Sequence, residues 1–295
     1  MVPNPVIRSL YTIINKYLDK VLAYKYNTHM KQRLGKLEAQ FFAYTQMRKI
    51  KTVSTGEIAS SLALTEDQER KLLSRLALSG MIARVRRGLY LVPERLPLGG
   101  KWSPDPFTVL DTVIQDRQGS YQICGPNAFN RYGFDDQVPV RFYAYNNVIS
   151  GERNVGAVAL SLIKVDKNRL GDTEEFRTTE GLNAIYSSRT RTLVDAVYDW
   201  SRFNSLPRAF TWITDELRAD RIDTTALVMA TERFGDMGTV RRIGALLEKE
   251  GVENKLLKQL EKLLRPSTSL IPWIPTKPKR GKVNRRWGVI INETA

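Results

Sequence analysis

The chain has 295 residues, 42% of them hydrophobic, with 46 Lys plus Arg against 31 Asp plus Glu, a net charge of +15. Such a composition fits a soluble globular protein of one large or two compact domains, and with no apolar run of about 18 residues it excludes a membrane-spanning helix. The charge is segregated: residues 1–100 carry 17 basic and 7 acidic side chains, residues 101–265 carry 23 of each, and residues 266–295 carry 6 and 1. A neutral body flanked by a basic head and a short basic tail points to a polyanionic partner, nucleic acid first.

The opening Met-Val-Pro-Asn-Pro lacks the basic-then-apolar layout of a secretory signal. Residues 1–26 follow a helical pattern in which Ile7, Ile14 and Val21 recur every seven residues, with Leu10, Tyr17 and Tyr24 between them. Val6, Ile13, Leu18 and Leu22 widen that stripe, so the helix suits packing on the protein's own body slightly better than a two-stranded coiled coil. The pattern fades in the polar stretch around His29, the only histidine. One histidine excludes multi-His zinc sites, and no nucleophile stands near it to build a hydrolytic triad.

Leu34, Leu37, Phe41 and Tyr44 stand at helical spacing and predict a helix with an aromatic core face. Ser54 with Glu57 three residues on fits a capping box opening a short second helix through Leu62. Thr65 with Gln68 repeats the signature and opens a third helix to about Leu78, stopped at Gly80. Two short capped helices in succession read as a helix-turn-helix. In the third helix Leu72, Leu73 and Leu76 form the buried stripe, leaving Gln68, Arg70, Lys71, Ser74 and Arg75 outward, the side-chain types that read base edges and phosphates in a major groove. Glu66, Asp67 and Glu69 at its start would oppose phosphates, so the middle of the helix is expected to carry the contacts. Residues 81–85 and 89–92 are β-type runs separated by Arg86-Arg87-Gly88, a tight hairpin with an arginine tip. With Arg84 it makes a wing able to clamp phosphates, and Ser54 and Thr55 complete the expected DNA-binding set.

Pro93, then Pro97-Leu98-Gly99-Gly100 and Pro104, mark residues 96–104 as a linker. Beyond it, residues 106–115 read as a helix, and 140–145 and 155–165 as strands around an Asn146-Asn147 turn. Helices follow over 190–202, 207–219, 223–234, 239–250 and 252–264, and a last strand over 287–291 is expected to join the sheet. Asp195 and Asp199, four residues apart, read as a solvated helix face, Asp135-Asp136 as a turn, and Asp172, Glu174 and Glu175 as a loop cluster without the strand motif of polymerase-like metal sites. Cys124, the only cysteine, reads as a packed small residue, and its solitude excludes an intramolecular disulfide and fits a reducing cytoplasm. No phosphate-loop or dinucleotide fingerprint is present. The reading is therefore a non-enzyme with no catalytic residue, metal site or cofactor. Lys277, Lys279, Arg280, Lys282, Arg285 and Arg286 crowd the tail, either a secondary polyanion site or an extended solvated arm.

Several of these stretches carry a resemblance. The run Leu-Ser-Arg-Leu-Ala-Leu-Ser-Gly-Met-Ile-Ala-Arg-Val-Arg-Arg-Gly-Leu-Tyr-Leu-Val over 73–92 resembles the winged-helix head of AbiEi-type antitoxins. The body is similar too, at Cys124-Gly125-Pro126-Asn127-Ala128, Gly133-Phe134, Gln137-Val138-Pro139 and Arg191-Thr192-Leu193-Val194-Asp195, as is the end from Ile271-Pro272-Trp273 through Asn284 to Trp287-Gly288-Val289. The likeness covers most of residues 34–295 and leaves the helix 1–26 outside. It implies a type IV toxin–antitoxin antitoxin that represses its own promoter at inverted-repeat DNA. It further implies a C-terminal domain that counteracts a nucleotidyltransferase toxin without a stable complex, with DNA reading assigned to residues 66–78 and 84–88.

The expected fold is α+β, an N-terminal winged helix-turn-helix followed by a larger mixed domain with a small sheet and a helical C-terminal region. Its parts are an amphipathic extension over 1–33, the winged helix over 34–95, the linker 96–104, and an antitoxin domain over 105–295 with the basic tail 277–286. Two functions are expected to compete: a cytoplasmic DNA-binding antitoxin, acting as a homodimer or cooperatively on DNA, and a winged-helix regulator whose C-terminal domain senses a small ligand.

Overall fold

In the computed structural model, which describes residues 34–96, 101–178, 181–266 and 268–293, helix α1 (Lys36–Met47) opens where Glu38 accepts the Gly35 N–H at 2.8 Å. The expected helix over 1–26 and residues 97–100 of the linker lie outside the described residues. Strand β1 (Thr52–Ser54), helix α2 (Glu66–Leu78), strands β2 (Ala83–Arg86) and β3 (Leu89–Leu91), and helix α3 (Pro106–Gln115) follow. The three strands form one sheet in the order β1-β3-β2, antiparallel throughout. Phe41 and Phe42 of α1 pack with Val53, Ile58, Leu72, Leu73, Leu76, Tyr90 and Val92 into a single core. Each such side chain, removed from water, contributes about 1.5–3 kcal/mol.

The helix expected to open at Ser54 and run to Leu62 is instead an irregular series of turns over 55–63. Gly56 takes a positive φ and two serines follow at 60 and 61, poor material for a helix nucleus this short. Half of the expected capping box survives, with the Ser54 N–H donating to Glu57 at 2.7 Å. Strand β1, which pairs Val53 with Tyr90, has no counterpart in the sequence reading.

The described residues divide into two compact units, those of 34–116 with 153–159, and those of 117–152 with 160–293. The first unit therefore runs through α3, past the expected linker. The Trp102 N–H donates to the Gly80 carbonyl at 2.8 Å, and Arg86 reaches Asp116 just beyond α3, so residues 101–116 are tied to the first unit's own frame.

The second unit holds β4 (Tyr121–Ile123), α4 (Pro126–Arg131), β5 (Arg141–Asn146), β6 (Gly151–Val155) and β7 (Val158–Lys164), the β6–β7 tip being counted with the first unit. A 3-10 turn (Lys167–Arg169) then leads to β8 (Thr173–Arg177) and β9 (Asn183–Ser187). The sheet has six strands in the order β6-β7-β5-β4-β9-β8, larger than expected, with β4 and β9 parallel and β8 an edge strand exposed along its length. Glu174 and Glu175 belong to that strand rather than to a loop.

Helices α5 (Arg189–Tyr198), α6 (Trp200–Phe203), α7 (Arg208–Arg218), α8 (Thr224–Phe234), α9 (Met237–Lys249) and α10 (Asn254–Glu261) follow within about two residues of the expected boundaries at most ends. The last strands, β10 (Ile271–Pro272), β11 (Lys282–Asn284) and β12 (Val289–Ile291), form a separate sheet in the order β10-β12-β11, so β12 does not join the larger one. Gly244 of α9 is required by a close approach, since a Cβ there would enter the Trp287 ring. Among the described residues the fold is α+β, with ten α-helices and three sheets.

Helix α5 is the hub of the second unit and packs on α6, α7, α8 and α9. Asp195 on it is not a solvated helix face but fully buried. Its carboxylate accepts from Arg191 Nε at 2.9 Å and Arg169 Nη2 at 3.0 Å, and Ser187 Oγ lies 3.4 Å away. Ser187 in turn accepts from Gln122 Nε2 at 2.8 Å, and Gln122 Oε1 takes the Gly171 N–H, so one chain of polar contacts joins β4, β9 and α5. Asp199 accepts from the buried Tyr145 hydroxyl at 2.6 Å. Burial pushes the Asp195 carboxyl up from the usual carboxylate range, against the pull of the two guanidinium groups. Asp195→Ala removes the shared counter-charge of two arginines and should destabilise the second unit by about 3–5 kcal/mol, read by chemical denaturation of the full chain.

Candidate nucleic-acid interface

Thr65 caps α2, its Oγ1 accepting the Gln68 N–H at 3.2 Å while Gln68 Oε1 accepts the Thr65 N–H at 2.9 Å. The reciprocal capping box is therefore formed, and it commits the Gln68 side chain to the helix end rather than to a base. Of the three carboxylates at this end, Glu69 turns inward. It is fully buried and accepts the Gly56 N–H at 2.6 Å and the Ile58 N–H at 2.9 Å, holding the turn before the helix in place. Glu66 and Asp67 alone face outward. Asp67 is paired with Lys71 at 2.7 Å and Arg70 at 3.4 Å, and the Lys71 ammonium holds its carboxyl below the usual range.

The outward face of α2 presents Lys71, Ser74, Arg75 and Leu78 in successive turns. Arg75 is bound to Glu38 of α1 at 2.8 Å, so it braces the two helices as well as facing solvent. Leu78 is 87% exposed. It escapes a sequence search for polar readers; its signal is a leucine lying off the 72, 73, 76 stripe.

At the hairpin, Gly88 takes φ +83, the left-handed conformation that side chains rarely adopt, and the ladder shifts by one residue between Arg84 and Arg86. The Thr55 N–H donates to the Gly88 carbonyl at 2.9 Å, which brings Ser54 and Thr55 beside the arginine tip. Arg86 makes two hydrogen bonds of 2.7 Å to the Asp116 carboxylate, which raises its pKa further above the ordinary value. Its guanidinium is thus committed within the unit. The side chains of Arg84 and Arg87 are exposed and have no hydrogen-bond or ion-pair partner among the described residues.

The tail cations are not an extended arm. Arg241 of α9 donates to the Trp287 carbonyl at 2.6 Å and to that of Gly288, and Asn292 binds the Ile274 N–H and the Ile274 and Pro278 carbonyls. Arg286 is spent on Glu248 and Glu261, and Lys277 on the Glu293 carbonyl, leaving Lys279, Arg280, Lys282 and Arg285 exposed. Cys124 is buried, and burial raises its thiol pKa well above the ordinary value, the opposite of a nucleophile's requirement. Among the described residues no cluster of three or more His, Cys, Asp or Glu could hold a metal ion, and no helix is long and apolar enough to cross a membrane.

No family model and no curated protein matches the chain. Among solved structures it is similar to the RV2827C protein from Mycobacterium tuberculosis, with a TM-score of 0.58 at 14% identity, over 88% of this chain and 92% of that one. At this identity the likeness extends to the fold alone.

The arrangement of the interface turns on Glu69. Glu69→Ala leaves the buried Ile58 N–H and the partly buried Gly56 N–H without their acceptor and should cost roughly 1–3 kcal/mol, measured as a loss of stability of the first unit by hydrogen exchange at α2 and the 56–58 turn.

Proposed function

We propose that the first unit is a winged helix-turn-helix that binds duplex DNA, with α2 in the major groove and the β2–β3 hairpin on the backbone. The carrying observation is the pair of arginines with no side-chain partner among the described residues, Arg84 and Arg87, on a hairpin that follows a helix presenting Lys71, Ser74 and Arg75 outward. Inward-turned Glu69 removes one of the three carboxylates that would oppose phosphates, and Lys71 and Arg70 partly neutralise a second. Lys71, whose pair with Asp67 is wholly at the surface and readily exchanged, and Ser74 are the base-edge readers, Leu78 meets a thymine methyl, and Arg84, Arg87, Ser54 and Thr55 hold phosphates. Arg75 and Arg86, already ion-paired inside the unit, position the helix and the hairpin.

With the resemblance to AbiEi-type antitoxins, the reading for the whole chain is a cytoplasmic, non-enzymatic antitoxin of a type IV system. It represses its own promoter at an inverted repeat, and the second unit counteracts a nucleotidyltransferase toxin without forming a stable complex. Two heads about 34–36 Å apart, or a multiple of that distance, are needed to read such a repeat, so binding is dimeric or cooperative.

Fluorescence anisotropy on the upstream promoter duplex tests the head. Arg84→Gln with Arg87→Gln should weaken binding to specific and scrambled duplexes alike and flatten the slope of log affinity against log salt by about two. Lys71→Gln should cost roughly 1–3 kcal/mol on the specific duplex only. Indifference to all three changes overturns the assigned contact face. Co-expression with an AbiEii-type nucleotidyltransferase toxin tests the second half: the Arg84→Gln, Arg87→Gln chain should still rescue growth, and failure of the unaltered chain to rescue defeats the antitoxin reading.

A further inference from the structure

The second unit contains a cavity of about 460 Å³ that the DNA-binding reading does not use, lined by Asp166, Lys167, Asn168, Arg169, Tyr198 and residues 233–236. Its volume lies in the range of small-ligand pockets. Three cations meet in its wall, Lys167, Arg169 and Arg233, and the two carboxylates present do not answer them equally. Asp236 caps α9, its Oδ1 accepting both the N–H and the hydroxyl of Thr239 at 2.7 Å, which leaves Asp166 as the one acidic group of the wall not engaged in a helix cap.

Behind the wall the charges balance, Arg191 and Arg202 against Asp195 and Asp199. Arg169 and Arg191 share the single carboxylate of Asp195, while nearby Asp199 is answered by Arg202 at 3.7 Å. Arg169 is held rigidly: Nη2 binds Asp195, Nη1 donates to the Phe234 carbonyl, and the guanidinium lies 3.5 Å from the centroid of the Tyr198 ring. Two buried nitrogens of this pair, Arg169 Nε and Arg191 Nη1, have no acceptor among the described residues. Lys167 and Arg233 are exposed and free to close on a ligand from the rim. Arg191 stacks on Phe234 at 3.5 Å, so that ring is backed by a cation where it meets the cavity.

We propose that this cavity binds a small organic phosphate monoester, its phosphate held by Lys167 and Arg233 against the positive charge of Arg169 and its organic part lying along Tyr198 and Phe234. Lys167, Arg169 and Arg233 against Asp166 and Asp236 leave the wall net positive, and the exposed Lys167 and Arg233 offer a phosphate charged donors from the rim. The volume exceeds what inorganic phosphate fills, and the two aromatic rings in the wall give the remainder an apolar face. Such a ligand would make the second unit responsive to a metabolite or nucleotide, independently of what the first unit does with DNA.

Titration calorimetry on the full chain in chloride buffer, with inorganic phosphate, ribose 5-phosphate and adenosine 5′-monophosphate as probes, tests this. The expected result is one saturable site per chain that binds at least one of the two esters more tightly than inorganic phosphate. Arg233→Gln and Lys167→Gln, both exposed positions, should each weaken it at least tenfold with an unchanged far-ultraviolet spectrum, and Arg84→Gln with Arg87→Gln should leave it intact. No saturable binding of either ester, equal binding of all three probes, or affinity indifferent to Arg233→Gln and Lys167→Gln overturns the proposal. Loss of the site in the Arg84→Gln, Arg87→Gln chain would place the anion on the DNA-binding surface and overturn it equally.

Discussion

A carboxylate taken out of water must be met by donors, and each unit is assembled around one such group. In the first, Glu69 reaches back from α2 to the Gly56 and Ile58 N–H groups, so the segment before the helix needs no helical hydrogen bonds of its own. In the second, Asp195 gathers Arg191 from its own helix and Arg169 from the 3-10 turn, and a polar relay through Ser187 and Gln122 carries the constraint to the sheet. The helix that presents the outward face of α2 and the helix that orders the second unit are each placed by a residue that faces inward.

That distinction marks what was legible in the sequence. Leu72, Leu73 and Leu76 announced the buried stripe of α2, Thr65 and Gln68 its start, and the arginine-glycine run its hairpin, because each rests on local geometry repeated at fixed spacing. The roles of Glu69 and Asp195 were not legible. Spacing shows that a carboxylate stands on a helix but not which way it faces when a charged partner arrives from a distant element, as Arg169 does. The short helix at 57–62 failed for a related reason. Ser54 and Glu57 formed their hydrogen bond, but Gly56 takes a positive φ and the Glu69 carboxylate gave the turn another stable form. Strands β4, β8 and β9 are short or lack alternation, β4 being buried on every residue and β8 exposed on every residue, so no period-two signal could reveal them.

The same blindness to partners affected the candidate interface. All its arginines look equivalent in the sequence, yet Arg75 and Arg86 are held by Glu38 and Asp116 while Arg84 and Arg87 are not. An arginine whose charge is already answered by a carboxylate, through one bond as in Arg75 or two as in Arg86, gains less from a phosphate than an unpaired one. What it supplies is rigidity, and a surface braced by its own ion pairs loses less conformational freedom on meeting a rigid duplex.

The exposed edge of the six-stranded sheet bears on how the protein behaves when crowded. Strand β8 offers unpaired backbone groups to any neighbour, the usual route to runaway strand addition. Its sequence, Thr-Glu-Glu-Phe-Arg, blocks that route at the centre: Glu175 would stand opposite its own copy both in a parallel in-register pairing and in the antiparallel pairing centred on it. Phe176, the one sticky side chain, lies under the Arg131 guanidinium at 4.4 Å. Like-charge repulsion thus acts as a gatekeeper against aggregation at an edge that no helix or loop needs to cover.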